Sequence, residues 1–161
     1  MSLSILGTWS DKFGSCGIRY FLDEPVSHIA FMFDQKLVIH SSVTGVCVLW
    51  ANEFLRHQNV YTQKDFNLTT EQEEYVYQEL IKVEGSPYDY EAFTYFAYCA
   101  FKKKYFGTPL PKKNKFGKPN KFLCTELAGL LPDFLFQPKS NPFKGQDLEL
   151  ISPYQVIKEI I

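Results

Sequence analysis

The feature that most constrains the fold is a pair of short apolar runs in the first third of the chain. Ser27–Phe33 and Leu37–Ser42 are rich in β-branched and aromatic residues, and the polar residues Asp34-Gln35-Lys36 separate them. Two such runs around a short polar break are typical of a β-hairpin. The sequence therefore predicts that these two segments pair with each other as neighbouring strands.

The register of this hairpin decides where two of the three histidines of the chain lie. If the break is a three-residue loop, Phe33 pairs with Leu37. His28 then lies diagonal to His40 on one face, with the backbones about 7–8 Å apart, a gap that two imidazoles can bridge. A two-residue loop would place the two side chains on opposite faces of the sheet.

The rest of the chain predicts an α+β domain, because strands come first and helices follow. The further predicted elements are strands at Ile18–Leu22 and Val46–Trp50, a helix from Thr70 that stops before Gly85, a helix from Tyr90 to Tyr105, a late strand at Asp147–Ile151 and a terminal helix from Pro153 to Ile161. Thr70-Glu71-Gln72-Glu73 has the pattern of a capping box at the start of the first helix. We expect one domain over residues 1–161, an antiparallel sheet with helices packed on it.

Composition and charge exclude several classes of protein. The net charge of −1 gives no global electrostatic case for binding nucleic acid. The Lys-rich segment 102–121 is most simply solvated surface, and its other interpretation is contact with a membrane surface or an anionic polymer. No apolar run reaches the ~18 residues of a transmembrane segment, and residues 1–6 do not resemble a secretory signal peptide. We expect a cytoplasmic or virion-associated protein with reduced cysteines.

One cysteine follows the Lys-, Pro- and Gly-rich loop 107–121. Cys124 lies near the start of the apolar segment Phe122–Leu131, which predicts a short helix. The N-terminus of a helix carries partial positive charge and unpaired N–H groups, and both lower the pKa of a cysteine. A neighbouring histidine would take the thiol proton, and a third polar group would orient that imidazole. We predict that Cys124 (nucleophile), His28 (general base) and His40 (orienting residue) meet in space.

The remaining cysteines and the third histidine have simpler interpretations. Cys47 lies in an apolar run and is interpreted as a small core residue, and Cys99 lies in the aromatic helix. Cys16 is the strongest rival nucleophile, although it has no helix behind it. A zinc site made of Cys16, Cys47 and the two hairpin histidines is an alternative, but its spacing lacks the short paired intervals of common zinc motifs. His57 is predicted to lie on the surface.

Five segments together resemble one family, and they occur in the order found in that family. They are Ser27–Phe31, Leu37–Ser42, Gly85–Tyr90, Phe122–Leu127 and Ile151–Pro153. The set resembles the circularly permuted papain-like cysteine peptidases of the NlpC/p60 superfamily, in particular the YiiX-like group. The resemblance implies the permuted papain-like fold and the same roles for Cys124, His28 and His40. Tyr88 and Glu126 lie in two of these motifs, and we predict that they contact the substrate.

The resemblance also implies an activity. A thiol hydrolase of this type cleaves an amide bond through a thioester, here in a peptide or peptidoglycan-derived substrate, and needs no metal or other cofactor. Two positions depart from the YiiX-like group, which tends to carry a carboxylate at the place of His40 and a serine at the place of Thr125. Lecithin:retinol acyltransferase-like enzymes belong to the same branch, so lipid acyl transfer or lipid-ester hydrolysis is the second interpretation. A virion or scaffold component that keeps the fold without activity is the third.

Overall fold

The computed structural model describes residues 2–137 and 140–160. One antiparallel sheet has the strand order β4-β3-β2-β1-β5. The strands are β1 (Leu3–Trp9), β2 (His28–Phe33), β3 (Leu37–Ser42), β4 (Gly45–Trp50) and β5 (Asn59–Phe66). The helices are α1 (Phe13–Leu22), α2 (Ala51–His57), α3 (Thr70–Ile81), α4 (Tyr90–Phe106) and α5 (Pro153–Ile160), with 3-10 turns at Glu126–Leu130, Asp133–Phe136 and Leu148–Leu150. The predicted α+β class is confirmed; the predicted helix end at Ile161 lies outside the described residues.

The sequence patterns do not predict β1 and β5, and the reasons are opposite for the two strands. In β1 the side chains of Leu3, Ile5 and Leu6 are all fully buried, because an apolar cluster covers each face of the sheet at this strand. A strand buried on both faces shows no alternation of apolar and polar residues. The edge strand β5, in contrast, consists of exposed or half-buried residues and has no apolar pattern to reveal it.

The strand predicted at Ile18–Leu22 is wrong, because these residues form the second half of α1. No residue of α1 is buried, so its apolar side chains belong to a surface helix rather than to a core strand. The ring of Phe21 packs edge-on against Phe101 of α4. The helix ends at Asp23, which has a left-handed backbone with φ 56° and donates its N–H to the carbonyl of Arg19.

Side-chain caps fix the starts of α3 and α4. The predicted capping box is wrong by one residue, because Thr69 rather than Thr70 exchanges hydrogen bonds with Gln72. The Asp89 carboxylate accepts a backbone N–H from the first turn of α4, and Gly107 ends that helix with φ 65°. Within residues 2–137 and 140–160, no helix is both long enough and apolar enough to cross a membrane.

Each face of the sheet carries its own apolar cluster. The larger cluster joins strands β1–β3 to α3, α5 and the turn at Glu126–Leu130. The smaller one lies on the opposite face beneath α2, and its members are Leu6, Ala30, Met32, Val38, Ala51 and Phe54. Burying a large apolar side chain contributes roughly 1.5–3 kcal/mol. The central hairpin is therefore held on both faces, which fixes the direction of every side chain along β2 and β3.

The segment before α4 is attached to the edge of the sheet at the start of β4. Val46 donates its N–H to the carbonyl of Ser86 at 2.9 Å, and Gly85 donates to the carbonyl of Val46 at 2.8 Å. Gly45 has a φ of 107°, and a Cβ at this position would lie 2.4 Å from the carbonyl oxygen of Ser86. Only glycine permits this close approach. The attachment brings Tyr88 next to the histidine-bearing strands.

Candidate functional site

The hairpin register places the two histidines together. Phe33 pairs with Leu37, so the loop between β2 and β3 has three residues, which is one of the two lengths that the sequence left open. Nε2 of His28 lies 3.0 Å from Nδ1 of His40, and the two rings are nearly perpendicular, at 86°. The ring of Phe54 from α2 packs against both imidazoles. The predicted contact between His28 and His40 is therefore present, and the sheet and α2 hold both rings in place.

Both imidazoles are neutral at physiological pH. Burial lowers the pKa of His28 well below its usual value, and the neighbouring His40 lowers it further. Burial, together with the positive charge of Lys12, lowers the pKa of His40 to about 4. A neutral imidazole has one bare nitrogen and can accept a proton. The pair is therefore in the protonation state that a general base requires.

The segment around Cys124 differs from its prediction. No α-helix begins there; Cys124 and Thr125 form a turn, and a 3-10 helix follows at Glu126–Leu130. Gly129 disfavours an α-helix, and Pro132, which cannot donate an N–H, follows shortly after. Short 3-10 helices are common in such constrained connections. The late strand predicted at Asp147–Ile151 is also wrong, because its centre is another 3-10 turn.

Side-chain hydrogen bonds hold this turn in place. The Glu126 carboxylate accepts the N–H of Leu123 at 2.7 Å. The buried hydroxyl of Thr125 donates to the carbonyl of Leu148 at 2.7 Å, and the hydroxyl of Ser41 on β3 donates to the carbonyl of Phe122 at 2.6 Å. These three bonds lie on either side of Cys124 along the chain and restrict where its thiol can point.

The thiol of Cys124 is buried and protonated. Burial raises its pKa to about 11, although the backbone N–H groups of Ile29, Thr125 and Cys124 favour the thiolate and offset part of that increase. The predicted lowering of the pKa by a helix N-terminus is therefore wrong. Ile29, one of the three residues whose N–H groups act on this thiol, is the neighbour of His28 in β2.

A small cavity of about 50 Å³ brings Cys124 and His28 to one place. A larger cleft of about 220 Å³ contains both His28 and His40. The residues common to the two linings are Ile18, Ser27, His28, Tyr88 and Phe93. Within the described ranges no hydrogen bond joins the sulfur of Cys124 to either imidazole. Cys124 thus lines the small cavity, which shares His28 and four other residues with the larger cleft.

The two predicted substrate contacts lie in different surroundings. Tyr88 lines both the cleft and the cavity of Cys124, and burial raises the pKa of its hydroxyl, which therefore remains a neutral donor. Glu126 is bonded to Leu123 and lines a separate cavity on the far side of the turn. Burial raises the pKa of Glu126 to about 8, and the nearby carboxylate of Glu149 adds to this increase.

The interpretation of Cys47 as a core residue is wrong. Cys47 is only half-buried, and its sulfur lies 3.4 Å from Nε2 of His40. The two residues are direct partners in the β3–β4 register. The turn at Val43-Thr44 sets the register that places Cys47 opposite His40. Directly paired residues of antiparallel strands lie on the same face of the sheet, so this turn is the sequence signal for the pair.

The other candidates lie outside this cluster. Cys16 is exposed in the first turn of α1, 3.9 Å from the carbonyl of Ser10, so the expectation that it has no helix behind it is wrong. Cys99 is buried in α4. His57 is exposed at the end of α2, as predicted. In the part of the chain that the structure describes, no three His, Cys, Asp or Glu side chains are arranged to hold a metal ion. The alternative zinc set of Cys16, Cys47 and the hairpin histidines therefore does not assemble.

The loop between α4 and Cys124 is irregular, as predicted for 107–121. The side chain of Asn114 is buried and donates to the carbonyl of Ala92 at 3.1 Å. The backbone N–H of Lys118 donates to Asp89 at 2.9 Å. These bonds attach the loop to the first turn of α4 and thereby fix the direction from which the chain reaches Cys124.

Comparison with known proteins relates the chain to one solved structure. No family model matches the chain, and no curated protein matches it significantly. The structure is similar to the crystal structure of the metalloprotein yiiX from Escherichia coli O157:H7, a DUF1105 protein, with a TM-score of 0.50 and 19% sequence identity. The match covers 97% of this chain and 90% of the yiiX chain. The protein therefore has a YiiX-like, papain-like fold, a class that includes hydrolases.

Proposed function

We propose that the protein is a thiol hydrolase that cleaves an amide bond with Cys124 as nucleophile, His28 as general base and His40 as orienting residue. The observation that carries this proposal is the hydrogen bond between His28 and His40, together with the small cavity that Cys124 and His28 both line. Thiol enzymes activate sulfur with a base that takes the thiol proton and a third group that orients the base.

The protonation states suggest how the reaction begins. The thiol and both imidazoles are neutral, so no thiolate–imidazolium pair stands ready before the substrate binds. As the sulfur attacks the carbonyl carbon, the thiol proton passes to His28 and the carbonyl oxygen becomes an oxyanion. The backbone N–H of Cys124 and the hydroxyl of Tyr88 are the donors available to it. His28 then gives the proton to the leaving amine, and water hydrolyses the thioester.

The cleft suits an extended peptide. Its lining includes the hydroxyls of Ser10 and Ser42, the amide of Gln58 and the ammonium group of Lys12. The positive charge of Lys12 acts on His40, and a cation in the cleft favours a substrate with a carboxylate near the scissile bond. Peptides of the bacterial cell wall, in which carboxylates flank the amide bonds, have this chemistry, and the resemblance to peptidoglycan peptidases supports the same class.

One observation favours a second candidate, hydrolysis or transfer of a lipid acyl group. Most of the lining of the small cavity around Cys124 is apolar, with side chains from Ile18, Phe93, Phe96, Leu123, Ile151 and Pro153. An acyl chain would bury apolar surface there more favourably than a polar peptide. The chemistry of Cys124 would be the same, since a thioester forms from an ester as well as from an amide.

Alkylation of individual cysteines tests the proposed nucleophile. Whole protein is treated with iodoacetamide at pH 7, and the rate at each cysteine is followed by peptide mass spectrometry. We expect Cys124 to react faster than the buried Cys99, and we expect its rate to fall in His28→Ala but not in His57→Ala. The exposed Cys16 provides the internal reference for reagent activity. Equal rates at Cys124 in all three proteins would contradict the proposed triad and favour the non-catalytic interpretation.

Product analysis then separates the two substrate classes. Muropeptides and a phospholipid dispersion are each incubated with the wild-type protein and with Cys124→Ala. Release of new amines from the muropeptides that depends on Cys124 supports the peptidase. Release of fatty acid from the lipid, with the peptides intact, supports the second candidate instead.

A further inference from the structure

A second thiol is part of the histidine cluster. Cys47 of β4 and His40 of β3 are directly opposite each other in the sheet. The sulfur of Cys47 lies 3.4 Å from Nε2 of His40, while Nδ1 of the same ring lies 3.0 Å from Nε2 of His28. His40 is only 6% exposed, so its two nitrogens depend on these partners rather than on water. Cys47, His40 and His28 thus form one continuous chain of contacts.

Two arrangements of protons satisfy this chain, because each neutral imidazole carries one N–H and one bare nitrogen. In the first, His40 donates from Nε2 to the sulfur of Cys47, and His28 donates from Nε2 to Nδ1 of His40. Nδ1 of His28 is then bare. In the second, the thiol of Cys47 donates to Nε2 of His40, and His40 donates from Nδ1 to Nε2 of His28. Nδ1 of His28 then already carries a proton. Only the first arrangement leaves His28 able to take a proton from Cys124.

The surroundings of Cys47 favour the first arrangement. Its sulfur lies 4.0 Å from Oγ of Ser42. The hydroxyl of Ser42 donates to the carbonyl of Gly45 at 3.5 Å, so its oxygen can accept the thiol hydrogen and leave a sulfur lone pair for His40. Burial raises the pKa of Cys47, so the thiol keeps its hydrogen at neutral pH. The other neighbours of His40 are the ring of Phe54 and the cation of Lys12. An ammonium group only donates hydrogen bonds, so Lys12 cannot accept the N–H of His40.

On the basis of the proposed function, we propose that Cys47 is a positioning residue whose sulfur accepts the Nε2–H of His40. This bond fixes the tautomers of both rings and leaves Nδ1 of His28 free to take the thiol proton of Cys124. Cys47 itself does not touch the reacting atoms. Cys47 on the neighbouring strand β4 thus orients His40, and His40 in turn orients His28.

Nitrogen-15 NMR of the histidine rings tests the tautomers without any substrate. In the uniformly labelled wild-type protein at pH 7, we expect both His28 and His40 to show a protonated Nε2 and a bare Nδ1. In Cys47→Ala the acceptor is gone, and the two nitrogens of His40 should move toward the averaged shifts of a tautomer mixture. Cys47→Ser supplies an oxygen acceptor and should restore the wild-type pattern. Cys99→Ala, which truncates a buried cysteine on α4, outside the histidine cluster, is the control.

The alkylation rate of Cys124 gives the second measurement. Loss of one net hydrogen bond corresponds to about a fivefold change in an equilibrium, so we expect about a fivefold slower reaction in Cys47→Ala and recovery in Cys47→Ser. Ring shifts identical in wild type and Cys47→Ala, or a bare Nε2 on His40 of the wild type, would overturn the inference. If Cys47→Ala does not fold, the wild-type and Cys47→Ser spectra decide alone. The expected ring shifts with an unreactive Cys124 would support the tautomer assignment and count against the proposed function.

Discussion

The two halves of the candidate site are held by different forces. The histidine side, formed by β2, β3 and β4 with His28, His40 and Cys47, is positioned by backbone pairing between strands. The cysteine side, residues 122–130, has no strand or α-helix. Hydrogen bonds from Ser41, Thr125 and Glu126 hold the residues around Cys124, and Leu127 and Ala128 are buried in the larger apolar cluster. The base therefore has a fixed geometry set by the whole sheet, whereas the position of the nucleophile depends on side-chain contacts.

Hydrogen bonds at Phe122 connect the cysteine side to the sheet. The hydroxyl of Ser41, next to His40 in the chain, donates to the carbonyl of Phe122. Phe122 also donates its N–H to the carbonyl of Pro87 at 3.1 Å, in the segment that is attached to β4. Single substitutions can therefore disturb the cysteine side while the sheet stays intact. A substitution on the histidine side or the cysteine side can therefore be compared with a matched control substitution elsewhere in the chain.

Removing the base should have the largest effect. His28→Ala eliminates the imidazole that lines the small cavity together with Cys124, and general bases typically contribute about 10²–10⁴-fold. We expect turnover to fall at least about a hundredfold. The free energy of unfolding should also fall, by about 1–3 kcal/mol, because Nδ1 of the buried His40 loses its hydrogen-bond partner. His57→Ala, the same change at an exposed histidine, should leave turnover unchanged. A loss of less than about tenfold in His28→Ala, well below the usual contribution of a general base, would mean that the histidine side is not the catalytic partner of Cys124.

Removing the buried hydroxyl of the cysteine side should have the next largest effect. Thr125→Val keeps the shape of the side chain but leaves the carbonyl of Leu148 without its donor. An unsatisfied buried group costs about 1–3 kcal/mol, so we expect the free energy of unfolding to fall by about 2 kcal/mol, measured by urea denaturation. Thr94→Val changes an exposed hydroxyl that donates within its own helix and should cost much less. Equal losses in the two variants would contradict a special role for Thr125.

The histidine side was accessible to sequence reasoning because strand geometry is periodic. A three-residue loop fixed the pairing of Phe33 with Leu37, and alternation then fixed the face of each histidine. The position of Cys47 on β4 follows from the same strand geometry, although its surroundings in the sequence suggest otherwise. Cys47 lies in a run of apolar residues, and hydrophobicity alone suggested a core position, although the register against His40 determines its surroundings.

The cysteine side was less accessible because its structure depends on contacts between distant segments. The apolar residues around Cys124 suggested an α-helix, yet the turn is fixed by Ser41 and Leu148, which lie far away in the sequence. No local pattern encodes those bonds. The prediction for the pKa of Cys124 was wrong for the same reason, since burial of the thiol depends on the packing of the whole domain.

Ser41→Ala tests the connection between the two sides directly. Ser41 is only 1% exposed, and loss of its hydroxyl leaves the carbonyl of Phe122 unpaired. We expect the free energy of unfolding to fall by about 1.5 kcal/mol and the alkylation rate of Cys124 to change, because the turn becomes freer to move. The ring nitrogen shifts of His28 and His40 should stay constant, since the sheet holds them. Altered ring shifts would show that the two sides are not independently held.

Glu126→Gln should have the smallest effect, which takes the form of a dependence on pH. Burial raises the pKa of Glu126 from 4.5 to about 8, so the folded protein holds this proton more tightly than the unfolded chain does. The stabilising contribution is complete below about pH 4.5 and is lost as the pH rises toward about 8. The amide of the variant stays neutral, and its carbonyl can still accept the N–H of Leu123. Stability of the wild type relative to Glu126→Gln should therefore decline between about pH 5 and pH 8, by about 1 kcal/mol after allowance for partial exposure.

The difference between wild type and variant isolates this carboxyl from the other groups that titrate in the same range. Burial raises the pKa of Glu149 to about 7, but that group is present in both proteins and largely cancels, as do the two histidines. Glu159→Gln, the same change at an exposed position of α5, is the control variant. A wild-type curve parallel to that of Glu126→Gln over the same pH range would mean that the turn at Cys124 does not depend on a buried carboxyl. The cysteine side would then be held at all pH values as firmly as the histidine side.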